Sequence, residues 1–288
     1  MKKKEKIWGW IMVLPLTVGI LSFVIVPLLY SLYVALSEYD LINQPVFTGL
    51  DNIKRLVADP YFFKSLGKAI LNTIGVPLGM IFGLLAAVMF CKIKKGSNLF
   101  RTLFFMPIVC SSVAVTFMWK YLLDYNTGII NWILVKMGFE RVMFFSEQNA
   151  MTTMIIIGVW SNIGIISILY YSALKNVSTS YYEASMIDGA NGWQQFRYIT
   201  LPMISPITFY ILLTQLIGAL QDYSRFMVMS GNGNSEAFTT TGVYVYKQTF
   251  TFDNPGYAST VAWALGLIII GVTVVNFIVS KKWVSYEN

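Results

Sequence analysis

Six stretches of this chain stay apolar for about twenty residues or longer, and no connection between them is long enough to hold a large soluble domain. They fall at about 11–36, 69–91, 103–123, 154–174, 204–221 and 259–280. A segment of that length buried in hydrocarbon must satisfy its own backbone, which a helix does and an open strand cannot. Composition agrees: 56% of the 288 residues are hydrophobic and only 12% charged, too little polar material to coat a water-facing globule. The expectation is an all-α, polytopic membrane protein with six transmembrane helices in a single domain over residues 1–288. The first run follows Lys2-Lys3-Lys4-Glu5-Lys6 and extends from Ile7 to about Leu36. It is too long for the apolar core of a signal peptide and has no small-x-small cleavage site, so it reads as an uncleaved span loosened by Pro15 and Pro27.

Basic residues orient the spans. One side carries the four N-terminal lysines, Lys92, Lys94, Lys95, Arg101, Lys175, Arg197, Lys281 and Lys282 against four acids; the other carries eight Lys and Arg against ten acids. Basic loops stay in the cytoplasm, so both termini are expected inside, in a bacterial plasma (inner) membrane crossed several times. The formal charge of +7 then reads as anchoring charge and implies no nucleic-acid partner.

Much chemistry is missing. Histidine is absent, and Cys91 and Cys110 lack CxxC spacing, so no metal site and no Cys/His catalysis are expected. No span centre holds Asp, Glu, Lys or Arg, which disfavours a secondary carrier coupled to protons or ions. There is no GxxxxGK[ST] loop, GxSxG elbow or HExxH pair, so the chain is read as non-catalytic and as binding no cofactor of its own. If it moves a solute uphill, the energy enters from another subunit. Gly75, Gly79, Gly83 and Ala87 recur every four residues, a small-residue face that lets another helix approach closely, within this chain or in a partner. Trp8, Trp10, Trp119, Tyr121 and Trp283 read as interfacial anchors.

The most unusual segment is the cytoplasmic connection 175–202. Ser180 and Glu183 have capping-box spacing, Gly189 offers a left-handed stop, and Trp193 and Phe196 follow three apart on a second short helix. Pro202 and Pro206 mark entry to the fifth span. An ordered helix–turn–helix of this length, exposing Tyr182, Ala184, Met186 and Ile187, either rests on the membrane surface or docks to a partner.

This segment resembles the EAA loop of permease subunits of binding-protein-dependent ABC importers. The pattern reads Glu183-Ala184-Ser185, Asp188-Gly189-Ala190, a nine-residue gap from Gly189 to Ile199, then Leu201-Pro202, with Ser185 standing for the third Ala. Nearly the whole chain is similar to carbohydrate permeases of the maltose/glycerol-3-phosphate type. Phe47-Thr48-Gly49-Leu50-Asp51-Asn52, Asn72-Thr73 and Arg101 through Pro107 support this, and Gly231-Asn232-Gly233 departs from an expected Gly-Gly-Pro. The resemblance implies a type I ABC importer permease bundle, paired with a second homologous permease as a heterodimer. It further implies two cytoplasmic ATPases that use ATP with magnesium, and an extracytoplasmic solute-binding protein. Tyr182, Glu183, Ala184, Asp188, Gly189, Ala190, Ile199, Leu201 and Pro202 would couple the spans to the ATPases. For the solute path, Trp160, Ser161 and Asn162 interrupt the fourth span. Gln215 and Asp222 share one face of the fifth, with Gly218 and Ala219 leaving room between them. Amides, hydroxyls, a carboxylate and an aromatic ring suit a sugar; equally, Asn162 and Gln215 could bond only to neighbouring helices. A glycerol phosphoester or a polyamine remains the alternative solute, and positive charge along the path would favour the phosphoester.

Overall fold

The computed structural model describes residues 2–93, 97–231 and 235–285. Lys94, Lys95, Asn232 and Gly233 lie outside the described residues, as do the side chains of Arg101 and of the N-terminal lysines. Among the described residues, four helices are long and apolar enough to cross a membrane: Trp8–Ala35, Pro60–Lys92, Ala150–Asn176 and Pro255–Ser280. Two bent pairs, Thr102–Val109 with Ser112–Leu122 and Gly192–Met203 with Ser205–Met229, bring the number to six when each pair counts as one span. The fold is all-α, its only strands among the described residues being a two-residue pair.

The chain divides into two compact units. One contains the residues up to Phe62 together with Tyr244–Gly266. Here the Trp8–Ala35 helix ends in a small hairpin, with Ser37 opposite Phe47 and Glu38 opposite Val46. A helix end leaves carbonyls without partners, and side chains close this one. Asn52 Nδ2 donates to Ala35 O at 3.1 Å and to Ser37 O at 2.9 Å, while Thr260 Oγ1 donates to Ala35 O at 2.7 Å. Gly49, at φ +69°, turns the chain so that Asn52 can reach back. Asp59 accepts hydrogen bonds from the hydroxyls of Tyr244 and Tyr257, and Gln248 Nε2 donates to Tyr244 Oη at 2.8 Å. The Arg55 guanidinium lies 4.0 Å over the Tyr257 ring. Along the apolar window of the first helix nothing is buried within the chain, so that surface faces lipid or another subunit.

The other unit contains Phe63–Val243 and the residues from Leu267. Its centre is the packing of Pro60–Lys92 on Ala150–Asn176 through the small-residue face foreseen in the sequence. A Cβ added to Gly75 would touch Ile155, one on Gly79 would touch Ile166, and one on Gly83 would lie 2.4 Å from Ile166 Cγ2. The face therefore serves packing within the chain. Two apolar cores flank this contact. One gathers Met154, Ile157, Phe226, Phe238 and Val243; the other gathers Ala87, Ile166, Tyr170, Ile204 and Ile211. Trp119 is not a free interfacial anchor: its ring packs edge-on against Trp160, with centroids 5.2 Å apart, beside the first core.

Candidate functional site

The 175–202 connection folds as two short helices joined by a tight turn. The first, Thr179–Ile187, is capped by Ser178, whose hydroxyl accepts from Ser180 N at 3.4 Å. The capping box expected between Ser180 and Glu183 is absent, because the helix starts earlier; Glu183 stands exposed to solvent. The helix stops where expected. Gly189 takes φ +79°, its N–H donates to Met186 O at 3.1 Å, and Ala190 N donates to Ser185 O at 2.9 Å. This pair of bonds is a Schellman closure, which requires a left-handed residue and so favours glycine. A capping box does occur, two residues further on. Asn191 Oδ1 accepts from Gln194 N at 3.0 Å and Gln194 Oε1 from Asn191 N at 2.7 Å, opening the second helix at Gly192.

Side chains then lock the two helices together. Ser185 Oγ donates to Tyr182 O at 2.8 Å, and Gln195 Nε2 donates to Ser185 Oγ at 3.0 Å. The Tyr182 hydroxyl lies 3.0 Å from Thr200 Oγ1. Tyr182 is therefore not exposed as expected; with Leu201 it packs against the core of Tyr170, Ile204 and Ile211. Ile199 and Pro202 are half-buried, whereas Ala184, Asp188, Met186 and Ile187 are exposed, Ile187 to 88%. The segment thus has an inner face fixed to the spans and an outer, apolar face on Met186, Ile187 and Trp193.

The second constellation is a cavity of about 330 Å³ inside the larger unit. It sits where helices break. The 106° bend after Val109 puts Pro107, Cys110 and Ser112 on its wall, and the interruption after Gln221 puts Asp222 there. Pro107 lacks an N–H to continue a helical ladder, and irregular backbone at membrane depth is tolerated where it lines a polar cavity. Ser161, Asn162, Gln215 and Asp222 all line it, so the structure brings together four of the five residues expected on the path. Trp160 does not join them: it faces a separate apolar pocket with Leu78, Phe82 and Phe104. Asn162 Nδ2 donates to Gly158 O at 2.9 Å, and Ser161 Oγ to Ile157 O at 2.8 Å. Asn72 adds a tie across the wall, Nδ2 donating to Ala219 O at 2.9 Å.

Sequence reasoning missed Arg225. The expected fifth span ends at about 221 and leaves Arg225 beyond it, yet Arg225 lines the cavity, its Nε donating to Asp222 Oδ2 at 2.6 Å and its Nη2 to the same oxygen. Both side chains are only 12% exposed. Gly158 makes the space, since a Cβ there would lie 2.5 Å from Arg225 Nη1. The cavity wall therefore carries a positive charge, although the expected span centres hold no Lys or Arg. The signal was the i, i+3 spacing of Asp222 and Arg225, within apolar sequence that continues weakly to Met229.

Residues 75–283 match the model of the binding-protein-dependent transport system inner membrane component family. The chain belongs to this family. Among its relatives, the probable ABC transporter permease protein YesP of Bacillus subtilis is 34% identical over 99% of this chain and 94% of its own. The lactose transport system permease protein LacF of Rhizobium radiobacter is 31% identical over 98% of this chain and 97% of its own. In three dimensions the fold is similar to a chain of a bacterial ABC transporter involved in the import of the acidic polysaccharide alginate. The TM-score is 0.85 over 97% of this chain and 96% of that one, at 22% identity, which speaks to fold alone. Membership makes this chain a transport subunit of an ABC importer, with a type I permease fold.

Proposed function

We propose that this chain is one of two permease subunits of a carbohydrate importer, with the polar cavity as its part of the solute path. The observation that carries the reading is that cavity: neutral amides and hydroxyls converge with one carboxylate and one guanidinium at two broken helices. Sugars are held by such mixed donors and acceptors, and discontinuous helices place them near membrane mid-depth. The lactose relative supports the solute class. A solute-binding protein would deliver the sugar outside. Inside, two ATPases would hydrolyse ATP with magnesium and grip the outer face of the 175–202 segment. Its capped, braced helices would transmit displacement that a slack loop would absorb. Both termini are cytoplasmic in this reading, on the strength of the Lys and Arg asymmetry.

The test is ATP-dependent uptake of labelled sugars by the assembled complex in proteoliposomes, with Asn162→Ala and Gln215→Ala alongside the parent. Losing one ligand hydrogen bond costs about 0.5–1.5 kcal/mol, so each variant should weaken apparent affinity roughly two- to tenfold without loss of assembly. Parent-like uptake by both variants would move the path elsewhere.

A further inference from the structure

The Asp222–Arg225 pair has a consequence for what the cavity accepts. These two are the only charged groups on its wall among the described residues, and they neutralise each other. The geometry points to the pair as a charge filter that admits uncharged polyhydroxy solutes and turns away ions of either sign. This assignment rests on the cavity being the solute path proposed above.

The reasoning is electrostatic. An anionic sugar or a polyamine entering the cavity sheds hydration but meets no net counter-charge, because the carboxylate beside the guanidinium offsets its charge although Nη1 keeps no hydrogen-bond partner, and the reverse holds for a cation. A neutral polyol is treated differently. Both guanidinium bonds fall on Asp222 Oδ2, so the pair does not use Oδ1, which is available to accept from a hydroxyl. The same hydroxyl-rich ligand can meet donors on Asn162 and Gln215, which line the cavity with it. Gly158 is part of the device: a Cβ there would lie 2.5 Å from Arg225 Nη1, so a larger residue would force the guanidinium to shift.

Cys110 supplies a test that needs no ligand. Its thiol lines the cavity and is exposed. In the assembled complex carrying Cys91→Ser, the rates of Cys110 modification by an anionic and a cationic methanethiosulfonate are measured, each divided by its rate with a free thiol. The parent should show a ratio of anionic to cationic rate near one. One unbalanced charge at short range should shift it about tenfold, upward in Asp222→Asn and downward in Arg225→Gln. Arg225→Lys keeps the charge and should stay with the parent. Ratios in both neutralised variants within about twofold of the parent would overturn the filter. Should those variants fail to assemble, the parent decides alone, since a preference beyond tenfold for either reagent contradicts a neutral cavity. Sugar uptake by the parent, run in parallel, reports separately on the importer reading: uptake with an unmoved ratio sinks only the filter, and a moved ratio without uptake sinks only the path.

Discussion

Ser185 Oγ accepts a hydrogen bond from Gln195 Nε2 at 3.0 Å, across the turn that separates the two helices of the 175–202 segment. The residue that departs from the family pattern is thus the one that joins the helices. Gln195 also reaches Tyr182 O at 3.3 Å, and the serine hydroxyl donates to the same carbonyl at 2.8 Å, so removing either side chain loosens two contacts, one of them the bond they share. Gln195→Ala should destabilise the segment by about 0.5–1.5 kcal/mol. Ser185→Ala should cost about as much, and the double variant should cost less than the sum of the two, because each single variant already loses the Ser185–Gln195 bond. A double-mutant cycle read by ATPase copurification checks this, and strictly additive losses would show that the two side chains do not work as a unit.

Gly189 is a sharper test of the coupling role. A β-branched residue at φ +79° is strained by about 1–2 kcal/mol, and the Schellman closure with it. No other group approaches within 4 Å of where its Cβ would stand, so the cost is conformational and confined to the turn. Gly189→Val should leave membrane insertion near normal while weakening ATPase copurification and sharply reducing uptake. Gly189→Asn, which tolerates the left-handed region better, should retain more of both. Equal uptake by Val, Asn and parent would remove this turn from the coupling pathway.

How far these features were legible depends on how local they are. The Gly189 stop and the small-residue face at Gly75, Gly79 and Gly83 follow from one residue's backbone or one helix's spacing, and both are found as expected. The Ser180–Glu183 box was not, because Ser178 competes for the same helix start and begins it earlier. Arg225 was misplaced for a different reason. Its burial depends on Gly158, in another helix, leaving a slot for the guanidinium, and no reading of one segment at a time contains that. Trp160 fails likewise: its indole is turned to Trp119, not to the cavity beside it.

The Asp59 cluster links stability to pH outside the spans. Burial pushes the Asp59 carboxyl up, but hydrogen bonds from Tyr244 and Tyr257 and from Tyr61 N outweigh it and hold the carboxyl below its ordinary value. Burial first, then the bond to Asp59 and its charge, pushes the Tyr244 hydroxyl up to about 12. A lowered carboxyl contributes stability above its unfolded pKa, about 4, and loses it as pH falls through the folded value; a raised phenol contributes below about 10 and loses it as pH climbs toward 12. The cluster's share of stability should therefore be flat between about pH 4 and 10. In Asp59→Asn, the Tm deficit relative to the parent should shrink on acidification. A deficit unchanged between neutral pH and pH about 3 would show that the carboxylate does not hold these tyrosines.

Gly83 gives the most direct test of how the larger unit is packed. A methyl group there would lie 2.4 Å from Ile166 Cγ2 and 2.9 Å from Ile166 Cβ, and Ile166 is only 1% exposed. Overpacking of this kind costs about 1–3 kcal/mol, so Gly83→Ala should lower the Tm of the purified complex. Gly67 lies in the same long helix with nothing within 4 Å of its Cβ position, so Gly67→Ala should be neutral or stabilising by up to about 1 kcal/mol. Ile166→Ala alone leaves a void costing about 2–5 kcal/mol, but it removes the atom nearest the new methyl group. In the Gly83→Ala background it should cost clearly less than it does in the parent. Additive losses, or a Gly83→Ala variant as stable as Gly67→Ala, would mean that the two helices do not meet at this glycine.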